Sequence, residues 1–188
     1  MAILPVVLAM AGIIGTAPSD TSLVLGVLSV DLTGDGIPEV MELLGEGPSV
    51  EELRVTLLIR SEGTVLYRTP LAPLTPTVGF GARRHRLSAP EYERYLSEFG
   101  EVFFSEDKVL TPSGFLNKWQ KSARLSTSEI VSVIARDIGG PVEAGAQLWT
   151  ELQTRGALVF EYSPGGDRVV AIAWSESAGT FVNLVDCC

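Results

Sequence analysis

The sequence predicts an α+β fold, and three observations carry that prediction. Period-two hydrophobic patterning occupies residues 22–70 and returns at 157–185, and helical spacing fills the stretch between them. The two kinds of pattern also come in blocks. Alternating units would have indicated a parallel sheet with crossover helices. Blocks indicate an N-terminal and a C-terminal antiparallel β-meander with a central helical layer packed on one sheet face.

Taken in order, "SLVLGVLSVDL" is rich in β-branched residues and runs straight into an acidic turn. "VEELRVTLLIR" and "TVLYRTPL" flank Ser61-Glu62-Gly63, a short turn of hairpin type, so residues 22–70 read as about four strands. "APLTPTVGFGARRHRL" is broken repeatedly by Pro and Gly and reads as a loop or crossover. Ser88 and Glu91 stand at capping-box spacing ahead of Tyr92, Tyr95, Leu96 and Phe99, which recur at helical intervals before Gly100. Thr111-Pro112 opens a second helix with Phe115, Leu116 and Trp119 on one side. Ser126 and Glu129 repeat the capping box before Ile130, Val133 and Ile134, and Gly139-Gly140 stops that helix. Pro141 suits the first position of a fourth helix, which carries Leu148, Trp149 and Leu152 and ends at Gly156.

The tail returns to period two in "ALVFEY", "RVVAIAW" and "TFVNLV", separated by "SPGGD" and "SESAG". Leu158, Phe160 and Tyr162 can share one face, as can Val170, Ile172 and Trp174. The two meanders are expected to join in one sheet or barrel-like sheet with the helices over one face. The chain contains no internal repeat.

With 188 residues, 46% of them hydrophobic, the chain can build one domain with a real core, assigned to residues 20–188. Its net charge of −9 is unevenly placed: eight acids and no Lys or Arg precede Arg54, while the rest carries 14 bases and 15 acids. Such a field repels nucleic acid and anionic lipid and attracts cations, so nucleic-acid binding is not expected. Residues 1–19, "MAILPVVLAMAGIIGTAPS", form an apolar run too short for a bilayer span and fading into small residues. They read as a signal peptide, with Ala17 and Ser19 at −3 and −1 and cleavage before Asp20. The n-region has only the α-amino group as its charge, and the alternative is a buried strand or helix. As a signal peptide, the segment implies a secreted or periplasmic protein with no stable membrane span in its mature chain. The only cysteines, Cys187 and Cys188, are adjacent and can staple no loop. An exposed or edge-strand thiol pair, a vicinal disulfide, a bridge to another chain and a soft-metal site stay open.

The most informative segment is "DLTGDGIPEVME", residues 31–42. Calcium takes six to eight hard oxygen ligands from a chain that turns sharply, and alternate residues of a tight loop can converge on one centre. Asp31, Thr33 and Asp35 fill positions 1, 3 and 5, Gly36 the sixth, the Ile37 carbonyl the seventh, Glu39 the ninth and Glu42 the twelfth. An EF-hand is not expected, because strand-like sequence precedes Asp31 and Pro38 lacks the backbone N–H at position 8.

The segment "DLTGDGIPE" resembles instead the strand-flanked calcium loops of FG-GAP and VCBS repeat proteins, with their D-x-D-G-D-G-x-x-D/E core. By that resemblance Asp31, Thr33, Asp35 and Glu39 are side-chain ligands with the Ile37 carbonyl, and Glu42 falls outside the first ring of ligands. The match covers about nine residues, and Thr33 replaces a carboxylate. Without the family's repetition, a β-propeller is not implied. The competing reading is an acidic turn that holds no metal, because Asp and Gly favour turns in any case.

Elsewhere bland readings prevail. His85, the only histidine, sits among arginines in "RRHR" (83–86) and reads as part of a solvated basic loop, or as a clasp for an anion or an acidic surface. Glu51-Glu52 and Glu91/Glu93 read as solvated charge, "VGFGA" lacks phosphate-loop spacing, and Trp119, Trp149 and Trp174 read as core. No catalytic constellation is evident. The expected function is therefore an exported calcium-binding structural or interaction domain, acting with an unknown protein or a component of a bacterial envelope. A secreted hydrolase with a site assembled from sequence-distant residues, and a small secreted inhibitor or ligand binder, are the alternatives.

Overall fold

A computed structural model describes residues 21–78 and 85–187, so the leader, Arg83, Arg84 and Cys188 lie outside the described residues. Four strands, β1 (Thr21–Val30), β2 (Glu39–Gly47), β3 (Arg54–Ser61) and β4 (Thr64–Pro70), form an antiparallel sheet in the order β1-β2-β3-β4. The β3–β4 turn places Glu62 and Gly63 at φ 48° and 83°, the doubly positive geometry that matches the twist of a hairpin. A two-residue ladder, β5 (Thr77–Val78) with β6 (His85–Arg86), leads into α1 (Ala89–Phe103).

After α1, a short 3₁₀ turn at Glu106–Lys108 precedes β7 (Val109–Leu110), which is followed by α2 (Pro112–Ala123), α3 (Thr127–Asp137) and α4 (Val142–Arg155). The expected caps are present. The Ser88 and Ser126 amides each donate to the Glu three residues on, Glu91 and Glu129, at 2.8 Å. Thr111 Oγ1 accepts the Gly114 amide at 3.0 Å. Pro141 is the cap of α4 rather than its first residue, because its ψ of 165° is extended and the helix begins at Val142. Strands β8 (Val159–Gly165), β9 (Arg168–Ser175) and β10 (Thr180–Cys187) complete the chain.

Contrary to the expected single sheet, the meanders form two. The second has the order β10-β9-β8-β7 and recruits β7 from between the helices, an element the sequence pattern did not reveal. The reason for separate sheets is burial on both faces of the C-terminal meander. Phe160, Tyr162, Val170, Ile172 and Phe181 join Leu28, Met41, Leu43, Leu57 and Ile59 of the first sheet, with Tyr92, Leu96 and Phe103 of α1, in one core. Val159, Ala171, Ala173, Leu184 and Val185 form a second core with Phe115 of α2, Ile130 and Ile134 of α3, and Leu148 and Leu152 of α4. A strand covered on both sides must be almost continuously apolar, as "VVAIAW" is. Each fully buried Phe or Ile here stabilises by roughly 1.5–3 kcal/mol relative to exposure. Helices α2, α3 and α4 thus cover one face of the second sheet, whereas α1 packs along β1. Among the described residues no helix is long and apolar enough to cross a membrane.

The exposed edge of the first sheet is closed by α1. At the register shift between Val24 and Gly26, a Cβ built on Gly100 would lie 1.8 Å from the Leu25 carbonyl oxygen and 3.2 Å from Gly26 Cα. Helix and strand therefore meet backbone to backbone: Gly100 has no room for a side chain, and a Cβ on Gly26 would be tight at 3.1 Å from Gly100 Cα. Ordinarily a mid-helix Gly→Ala change gains about 1 kcal/mol. Here steric displacement of α1 outweighs it, and Gly100→Ala is expected to lower stability by about 1–3 kcal/mol in urea denaturation. Unchanged or raised stability would show that this approach is not tight.

Candidate functional site

The acidic connection between β1 and β2 is built by side chains accepting backbone amides. Asp31 Oδ1 accepts the Gly34 N–H at 2.7 Å and Oδ2 the Gly36 N–H at 2.9 Å; Asp35 Oδ1 accepts the Ile37 N–H at 2.7 Å. Gly34 and Gly36 have φ of +75° and +90°, which glycine adopts most readily. Gly34 is doubly constrained, since a Cβ there would lie 2.7 Å from the Arg155 carbonyl oxygen.

Glu39, the first residue of β2, is fully buried. Its Oε2 accepts the Leu32 and Thr33 amides at 2.7 and 3.2 Å, and its Oε1 accepts the Thr33 hydroxyl at 3.3 Å. That hydroxyl also lies 3.5 Å from Asp31 Oδ1, so oxygens of Asp31, Thr33 and Glu39 form a continuous chain. Desolvation, followed by the nearby charge of Asp35, holds the Glu39 pKa above its ordinary value, and the Leu32 and Thr33 amides work against that rise. Neither Asp31 nor Glu39 forms an ion pair among the described residues.

The connection also ties the two sheets together. The Leu158 amide donates to the Leu32 carbonyl at 3.0 Å, Leu32 is fully buried, and Gly34 abuts Arg155 and Ala157 between α4 and β8. Asp35, Gly36, Ile37 and Pro38 face solvent.

Of the residues singled out in the sequence, Asp31, Thr33 and Glu39 are brought together, and Asp35 and Ile37 lie on the outer lip. Glu42 is elsewhere: three residues beyond Glu39 on a pleated strand, it faces the opposite side of the sheet and pairs with Arg60 at 3.0 Å. No group of three or more His, Cys, Asp or Glu side chains suited to a metal ion occurs among the described residues. An ion in this loop would thus depend on the Thr33 hydroxyl, backbone carbonyls and water as well as on carboxylates.

His85 is exposed, and Arg86 beside it pairs with Glu51 of the same chain. Trp149 is buried; Trp119 is partly buried and donates its Nε1–H to Glu161 at 3.2 Å. The sequence reading missed Glu161, a buried carboxylate that also receives Lys118 Nζ at 2.7 Å and so docks α2 on the second sheet. Its signal was an acid set inside the apolar run "LVFEY". Comparison with protein families, curated proteins and solved structures found no match for this chain.

A raised carboxyl pKa favours the protonated form in the folded state. The stability tied to Glu39 is therefore fully present below the unfolded value near 4.5 and is lost as pH rises through the raised folded value. In calcium-free buffer Glu39→Gln keeps an acceptor for the amides and removes the titration. Urea denaturation is expected to show the variant gaining on the parent protein as pH rises above about 4.5. A stability difference independent of pH would contradict this.

Proposed function

We infer that this is a non-catalytic, exported domain that binds calcium weakly at the Asp31–Glu39 connection and works as a structural or interaction module for a protein or envelope component. One observation carries the reading. Fully buried Glu39 and half-buried Asp31 lie close together through Thr33, and no basic residue forms an ion pair with either among the described residues. Charge taken out of water asks for a partner of opposite sign, and a hard divalent ion supplies it where no Lys or Arg does. Asp31, Thr33 and Asp35 would provide side-chain oxygens, Ile37 its carbonyl, and Glu39 further negative charge from beneath. The export reading rests on the composition of residues 1–19 and places the protein outside the cytoplasm, secreted or periplasmic, where calcium is abundant.

A specific observation favours a second reading. Each of the three loop carboxylates already accepts amides from its own loop, an arrangement that serves as a structural latch with no metal. Calorimetric calcium titration separates the two. For an extracellular type of site the dissociation constant is expected on the order of 0.1–1 mM. At about 1 mM free calcium, binding then stabilises the fold by roughly 0.4–1.4 kcal/mol. Asp35→Asn keeps the oxygen that accepts the Ile37 amide and should weaken binding, and Asp31→Ala should abolish it. Negligible heat with the parent protein, and a melting temperature indifferent to calcium, would leave the metal-free latch.

A further inference from the structure

A cavity of about 350 Å³ lies away from the acidic connection, between α1, the segment that follows β4, and the end of β8. That volume falls near the lower end of the roughly 300–1,000 Å³ seen for small-molecule sites. Its walls are apolar: Leu74 on one side, Phe99 and Val102 on α1, and Pro164 on β8. Val102 is 67% exposed and forms part of the open rim of the cavity. The third wall is fixed by close backbone approach. Pro164 O accepts the Ala72 amide, and Gly165 sits at φ +137° where a Cβ would come within 2.3 Å of Ala72 Cβ.

Four polar side chains break this apolar lining, and two of them are satisfied within the chain, the Tyr162 hydroxyl by that of Tyr67 and the Ser163 hydroxyl by the Gly166 carbonyl. The Lys108 ammonium and the Tyr95 hydroxyl both belong to lining residues, and neither has a hydrogen bond or ion pair among the described residues. The neighbouring acid, Asp107, accepts the Ser105 hydroxyl at 2.6 Å and attracts Lys108 and Lys118 through space, without a contact ion pair to Lys108 among the described residues. Lys108 is half-buried in the wall of the groove, in a chain whose net charge is −9. A cation with no contact partner among the described residues, bordering an apolar trough, matches an anionic head on an apolar body. From Tyr95 to Val102 the trough follows about seven residues of helix, or roughly 10 Å, the span of a medium-length alkyl chain. A multiply charged anion would find one cation only, and a neutral hydrocarbon would leave it unused.

We propose that this groove binds a free, medium-chain fatty-acid-like monocarboxylate, its carboxylate on Lys108 and its alkyl chain along α1 toward Tyr95 and Leu74. The site is independent of the calcium reading and is tested in chelating buffer. Decanoate, below its micelle concentration, is titrated calorimetrically into the full chain beside decanol and decyltrimethylammonium. Saturable one-site binding of decanoate is expected, with decanol weaker and the cationic amphiphile weakest. Lys108→Met is expected to weaken decanoate by about tenfold or more, the loss of one charge-assisted hydrogen bond, and to leave decanol unchanged. Val102→Glu, at an exposed position that folding tolerates, is expected to weaken decanoate further, and Lys121→Met, remote on α2, to leave it unchanged. No saturable decanoate heat overturns the proposal. So does binding indifferent to Lys108→Met, or binding of an acetylated apolar tripeptide acid in place of decanoate.

Discussion

The buried carboxylate of Glu39 is the constraint from which the rest of this structure follows. It stands where β2 begins and gathers the amides of Leu32 and Thr33, which would otherwise be orphaned as the chain leaves β1. With those amides held, Leu32 is fixed inward and its carbonyl is presented to the Leu158 amide at the start of the second meander. One acid thereby sets the exit of the first strand and the joint between N-terminal and C-terminal halves. An unmet amide or an isolated charge at this depth costs about 1–3 kcal/mol or more, a large share of a stability of about 5–15 kcal/mol.

Around that joint the architecture is three-layered. The first sheet and α1 enclose one core against the inner face of the second sheet, and α2, α3 and α4 enclose another against its outer face. The second sheet is therefore central, and its polar contents need partners. Glu161 finds Lys118 and Trp119, and the Tyr162 hydroxyl lies 2.9 Å from that of Tyr67 on β4. Burial and that neighbouring hydroxyl push the Tyr162 pKa far above the ordinary phenol value, so it stays neutral. These pairs connect layers that hydrophobic contact alone would leave free to slide.

Much of this was legible in the residues. Capping boxes at Ser88/Glu91 and Ser126/Glu129 are local devices, read within four residues, and the helices start where they indicate. The four strands before Pro70 and the three after Gly156 follow period-two patterning and turn residues for the same reason. Long-range decisions were less legible. The continuous apolar run of β9 signalled two covered faces, yet period two alone could not say whether the meanders shared a sheet. Strand β7 is two residues long and owes its existence to pairing with Phe160 and Val159, fifty residues away. At the loop, the spacing from Asp31 to Glu39 showed that oxygens of Asp31, Thr33 and Glu39 could approach one another, whereas the position count that added Glu42 took no account of the pleat of β2, which turns it to the other side of the sheet. Local chemistry was visible in the pattern, and the direction in which a strand turns its side chains was not.

Native-state hydrogen exchange, read residue by residue, tests the central claim most directly. With Glu39 holding the strand exit and the joint, the Leu32 and Leu158 amides exchange only with global unfolding, while those of nearby solvent-facing residues exchange orders of magnitude faster. Exchange at Leu32 and Leu158 as rapid as in the exposed part of the connection would contradict it, because Glu39 would then hold neither the strand exit nor the joint between the sheets.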